Sequence, residues 1–186
     1  GAELQVSEPI SVSVELFYKD LDSLVTRSSD TVERNGETVP EVYNNDATGR
    51  VYGFELLARH ALTSRLFGWV AYSLARSERL DPGAEDWRLF DFDQTHNLTF
   101  IASYNLPRNW AVGSRFRLVT GNPTTPIVGS VYDAENDVYT RVPGEVNSDR
   151  TATFHQLDVR VDKRWIYDRY TVNLYLDVQN VYNRKN

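Results

Sequence analysis

Apolar and polar positions alternate along most of this chain with a period of two. Ile10, Val12, Val14, Leu16 and Tyr18 are interleaved with Ser11, Ser13, Glu15, Phe17 and Lys19. Tyr52 to Arg59, Val70 to Ala75, Asn97 to Tyr104, Val112 to Leu118, Leu157 to Asp162 and Val172 to Val178 repeat the pattern, and a shorter piece, Ala2 to Val6, precedes them. Successive side chains of a strand point to opposite faces, so each segment predicts a strand with one apolar and one polar side. The count is about eight antiparallel strands, many of them ~10 residues long, the length that crosses a bilayer when tilted.

The connections fall into two classes. Short ones lie near Ser7–Pro9, Thr63–Leu66, Pro107–Asn109 and Tyr167–Arg169, each of a length that closes a tight hairpin. Long polar ones run over Ser28–Gly49, Ser77–Thr95 and Gly121–Thr153. Short turns at one end and long loops at the other predict an all-β, antiparallel transmembrane barrel section, with periplasmic turns and extracellular loops. A soluble β-sandwich has no need of that sorting. A soluble β-sandwich or small β-barrel binding module remains the alternative, with Val12, Leu56, Phe100, Leu157 and Leu174 as its core.

Aromatic positions bear on the choice. Three of the four tryptophans, Trp69, Trp110 and Trp165, fall at the short-turn end together with Tyr170, and Tyr18, Tyr52 and Tyr182 fall toward the loops. Amphipathic rings settle at headgroup level, so two girdles are expected, with Trp69, Trp110, Trp165 and Tyr170 at the membrane interface. The polar face would carry Glu55, Arg59, Arg115, Arg117, Arg160 and Asp177. In a barrel these line the lumen, where the arginines either pair with Glu55, Asp158 and Asp162 or steer an anionic ligand. Trp87, Tyr132, Tyr139 and Arg141, in the long loops, are the candidates for ligand contact, because loops carry recognition on a rigid scaffold.

Composition removes other classes. The 186 residues carry a formal charge of −6, which argues against a nucleic-acid surface. There is no cysteine, hence no disulfide framework or thiolate metal site. Mean hydropathy is negative and no apolar run reaches the ~20 residues of a spanning helix, but a barrel strand is only half apolar and escapes that test. His60, His96 and His155 lie on different strands with no ligand spacing, so no metal is expected. No nucleophile elbow or phosphate loop occurs; no cofactor is expected, and an outer-membrane enzyme is the weakest reading. The acidic stretch YDAENDVY (Tyr132 to Tyr139) lacks the central glycine of a calcium loop and reads as a solvated tip.

Four stretches bring a family to mind. FDQTHNLTFIASYNLPRNWAVGSRFRLVTGNPTTP (Phe92 to Pro126) resembles late barrel strands of TonB-dependent outer-membrane receptors, and GRVYGFELLARHALTSRLFGWVAYSLARSE (Gly49 to Glu78) resembles the hairpin before it. VNLYLDVQNVYNRKN resembles the family's penultimate strand, and GAELQVSEPISVSVELFYKDLDSLVTR resembles paired strands further upstream. The resemblance implies a barrel of about 22 strands around a plug domain, embedded in outer-membrane lipid. It also implies uptake of a scarce ligand, such as an iron–siderophore complex or cobalamin, driven by the TonB complex. Residues 1–186 contain no plug, no TonB-contacting box and no final aromatic-ended strand. They are expected to be an internal part of the barrel domain, with Val172 to Val178 rising toward the outside and Asn186 opening an extracellular loop.

Overall fold

The computed structural model describes residues 1–185; the expectation for Asn186 lies outside them. One antiparallel sheet runs through the chain as a meander. Its strands are β1 (Ala2–Ser7), β2 (Ile10–Arg27), β3 (Tyr43–His60), β4 (Leu66–Leu80), β5 (His96–Leu106), β6 (Trp110–Val119), β7 (Phe154–Ile166) and β8 (Thr171–Val178). Each pairs with its sequence neighbours, a ninth strand of two residues, Arg88–Leu89, pairs with the far end of β4, and among the described residues the sheet is open, with β1 and β8 at its edges.

The short turns form where the sequence puts turn chemistry. Glu8 and Pro9 close β1 on β2, and the Gln5 side-chain amide donates to the Ser7 carbonyl at 2.6 Å. Pro107–Asn109 makes a single 3-10 turn in which Arg108 and Asn109 take positive φ (62° and 60°). Tyr167 and Tyr170 close the last hairpin through a backbone bond of 2.9 Å, with their rings 4.6 Å apart.

At the other end the structure corrects the loop boundaries. β3 begins at Tyr43, within the stretch expected to be loop to Gly49, and β4 continues to Leu80. Residues 28–42 contain a hairpin, Thr31–Arg34 with Glu37–Pro40, turned by Asn35 and Gly36 at φ 56° and 82°. That positive-φ pair suits the right-handed twist of the strands it joins. The loop between β6 and β7 contains a longer hairpin, Ile127–Asp133 with Val138–Pro143, above a bridge of Pro123–Thr124 with Asp149–Arg150.

Register sorts the faces. One row across the sheet reads Val12, Ala58, Val70, Phe100, Phe116, Leu157; the adjacent row reads Ser11, Arg59, Trp69, Ile101, Arg115, Asp158. A hollow of 660 Å³ over Ser13, Glu15, Glu55, Ser73 and Thr99 marks the polar side as concave. At Gly53 on that side, an added Cβ would stand 2.1 Å from the Leu74 carbonyl oxygen, so only glycine permits the approach of β3 to β4.

Among the described residues no second layer covers the apolar side. Leu16, Leu174 and Leu176 are 76%, 63% and 66% exposed. Among the described residues no leucine, isoleucine, valine or aromatic side chain is buried, whereas Glu78, Asp93, Asn147 and Asp158 all are. This distribution is the reverse of a water-soluble domain, and the sandwich alternative fails on it: Val12, Leu56, Phe100, Leu157 and Leu174 share one outward surface and enclose nothing. Apolar out and polar in is the arrangement a bilayer requires.

Candidate functional site: concave face, girdles and loop mouth

The concave face holds two kinds of charge. Arg115 and Asp158 are cross-strand partners, joined by Nε and Nη2 to one carboxylate oxygen at 2.9 and 2.6 Å. The other oxygen of Asp158 accepts from the Gln156 amide (2.7 Å) and the Asn180 backbone N–H (2.9 Å), which satisfies a carboxylate only 7% exposed. Arg160 pairs with Asp162 at 2.7 Å and stacks over Tyr175 at 4.0 Å. Structural pairing thus accounts for Arg115 and Arg160, two of the four lumen arginines.

The remainder are differently placed. Arg117 leans over the Phe154 ring at 5.7 Å, and Arg59 forms no ion pair among the described residues. Glu55 lies directly opposite Glu15, two like charges side by side on one face, a juxtaposition that destabilises unless a cation is near. Asp177 faces Arg160 across the ladder.

The outward face shows two aromatic levels. Toward the loops, Tyr18 stacks on Tyr52 at 6.3 Å, the Tyr72 hydroxyl meets His96 Nδ1 at 2.7 Å, and the Tyr182 hydroxyl meets His155 Nδ1 at 2.7 Å. Toward the turns lie Tyr104, Trp110, Trp165 and Tyr170, all substantially exposed. Trp69 is a correction: it is at the right height, but its partners are Arg59 and Ile101 and it lines the concave hollow. Its parity with Ala71, opposite to that of Val70, carried that information in the sequence. The three histidines occupy separate places, His60 beside the Ala61 carbonyl at the turn end.

Above the membrane level the long loops interlock. Asp93, its side chain 1% exposed, receives Arg150 Nη2 at 2.5 Å, the Ser77 backbone N–H at 2.6 Å and the Thr95 hydroxyl at 2.8 Å. Asn147 donates to the Leu89 carbonyl (2.8 Å) and to Asp91 (2.6 Å). Arg88 binds Asp81 at 2.5 Å, and the Thr26 hydroxyl donates to the same aspartate at 3.1 Å. The Arg88 hydrogen bond holds the Asp81 carboxyl below the usual range, against the opposing effect of partial burial. These contacts tie the upper end of β2 and the connections after β4 and β6 into one rim. Its polar residues are scattered over the sequence, and sequence reasoning missed them.

The four loop candidates separate. Tyr132 and Tyr139 are register partners with rings 5.1 Å apart, and Arg141, opposite Ser130, shares their face of the long hairpin. Trp87 does not join them: its indole lies 4.3 Å from the guanidinium of Arg50, which is on the outward face with Tyr52 and pairs with buried Glu78. The tip of YDAENDVY is a turn organised by Asp133, which accepts from the Glu135 N–H and the Asn136 amide.

Comparison with known proteins gives the family. The family model described as TonB dependent receptor-like, beta-barrel, matches residues 1–181. No curated protein matches significantly. Among solved structures, the chain is similar to the ferric-catecholate import receptor Fiu of Escherichia coli (TM-score 0.64, 16% identity, 98% of this chain and 22% of that one). It is also similar to the outer-membrane transporter YddB of Escherichia coli (TM-score 0.64, 14% identity, 98% and 28%). A third is the FrpB iron transporter of Neisseria meningitidis (TM-score 0.58, 19% identity, 96% and 25%). The chain spans about a quarter of the length of these structures. An outward apolar band between two aromatic levels, a charged concave face, sorted loops and a family match over almost every residue lead to one conclusion: the chain belongs to the TonB-dependent receptor β-barrel family and is part of a bacterial outer-membrane barrel.

Proposed function

We propose that the chain is the late part of the barrel of an energy-coupled importer that takes up a scarce iron complex, with a plug in the lumen and the TonB complex as the driving partner. The observation that carries this reading is the family match over residues 1–181, on a sheet whose concave face is polar and charged. The opposed Glu15 and Glu55 support a filled lumen, since basic side chains of a plug would neutralise them. An iron complex is favoured over cobalamin by two of the similar structures, one a ferric-catecholate import receptor and the other an iron transporter. The face carrying Tyr132, Tyr139 and Arg141 suits an anionic, aromatic complex, offering stacking surface and a forked cation together.

The test is uptake of radioiron supplied as a ferric catecholate by cells in which the full-length protein is the sole receptor. Uptake that needs both the protein and a functional TonB, and that drops at least ten-fold in Tyr139→Ala/Arg141→Ala, is expected. Uptake unchanged by loss of TonB would overturn energy coupling, and TonB-dependent uptake of cobalamin alone would replace the substrate.

A further inference from the structure

The outward wall is almost free of charge. Between the Tyr18–Tyr52 level and the short turns, it carries one lysine, arginine or carboxylate among the described residues, and that is Lys163. Its register partners are Trp110 on β6 and Leu174 on β8, so it stands on the face that meets lipid, in the aromatic level at the turn end. The ammonium lies 5.2 Å from the Trp110 ring and 5.6 Å from the Trp165 ring. It donates to the carbonyl of Arg108, in the neighbouring turn, which occupies one of its three N–H groups. Arg65, Arg108 and Arg169 lie on the short turns at this end, against Glu8 and Asp168.

A cation placed on a lipid-facing wall is costly unless it reaches the headgroups. Here two indoles flank it at the depth where tryptophan prefers to sit. We infer that Trp110, Lys163 and Trp165 form a binding site for the phosphate of an anionic phospholipid headgroup, such as phosphatidylglycerol, in the periplasmic leaflet. The two free N–H groups of Lys163 supply the donors, the indoles pack against the glycerol and upper acyl chains, and the arginine-rich turns raise the local anion concentration. The end of the barrel decides the source of the phosphate: the site adjoins the short turns, so the ligand is a phospholipid rather than the lipopolysaccharide of the outer leaflet.

Native mass spectrometry of the full-length protein tests this, with phosphatidylglycerol, phosphatidylcholine and lipopolysaccharide each added to the detergent-solubilised sample. Wild type is expected to retain phosphatidylglycerol over phosphatidylcholine by about five-fold, the effect of one cation near the headgroup. Lys163→Gln should bring that ratio to about one and Lys163→Arg should keep it; Lys19→Gln, on the concave face, should leave it unchanged. Folding of each variant is checked by its heat-modifiable migration on gels. The inference is overturned if wild type shows no headgroup preference, if Lys163→Gln retains it, or if the Lys163-dependent ligand is lipopolysaccharide. If Lys163→Gln does not fold, the wild-type ratio and its persistence in Lys163→Arg still decide the matter.

Discussion

Asp93 depends on a single guanidinium. Its carboxylate is almost sealed from water, and Arg150 reaches it from a loop 57 residues further along, bonding also to the backbone carbonyl of Asp93 and to that of Gly121. Removing the cation would leave a buried charge whose remaining hydrogen-bond donors are only the Thr95 hydroxyl and the Ser77 backbone N–H. Arg150→Met is therefore expected to cost about 3–5 kcal/mol of local stability, and Asp93→Asn added to it should recover part of the loss. Amide exchange of residues 81–95 and 120–153 in the folded barrel would read this, the single variant exchanging faster than the double. Paired residues at the concave face behave alike: Arg115 and Asp158 were legible as lumen residues from alternation, but that they neutralise each other is a matter of register across two strands far apart in sequence. Trp69 shows the complementary error. Its height was legible from distance to the turn, and its face was legible from parity, yet grouping the tryptophans by end alone placed it on the wrong side.

Strands and turns follow from local chemistry, with loop interiors the exception. Period-two alternation located the eight strands of the meander, because each side chain meets either lipid or lumen and the choice is made residue by residue; the two-residue strand Arg88–Leu89 has no such pattern and was not legible. Asn35-Gly36 is a hairpin signal readable from sequence, and the long polar span around it hid it. The hairpin Ile127–Pro143 is different again. It pairs with no other strand among the described residues, exposes both faces, and is closed at its base by the Gly144 N–H to the Pro126 carbonyl at 2.8 Å. A lone two-stranded hairpin is marginal in water, so it adds little to the barrel. Replacing residues 127–143 by a short Gly-Ser link should leave the heat-modifiable folded form intact, within about 0.5 kcal/mol of wild type, and, on the function proposed above, should abolish binding of a ferric catecholate. Loss of the folded form would show that the hairpin supports the barrel.

At the scale of the whole molecule the sheet is an inside-out protein. Its exposed leucines and valines are stabilised by lipid, and its buried groups are carboxylates and amides held by hydrogen bonds. A charge is therefore tolerated on one face and not on the other, one residue apart. Phe100 stands midway between the aromatic levels, against Val70 and Phe116; Thr99, its neighbour, faces the concave side with Ala71 and Arg117. Phe100→Arg is expected to destabilise the inserted barrel by about 2–4 kcal/mol, with Thr99→Arg costing well under half as much. Denaturant titration in lipid vesicles would measure both. Equal costs would mean that the outward face is not in contact with hydrocarbon.

The amino-acid sequence by itself determined the class of fold, the number and direction of the strands, which face of each is apolar, and which end of the sheet carries the loops. All of these follow from a two-residue period and from turn chemistry, interactions that act between neighbours along the chain. Tertiary structure alone decided the rest: that Arg115 is neutralised by Asp158, that Glu15 and Glu55 face each other with no ion pair among the described residues, that Arg150 locks Asp93, that Trp87 lies on Arg50 away from the long hairpin, and that Lys163 stands between two indoles. Each of these joins residues that only strand register or loop folding brings together, and register is set by the whole sheet at once.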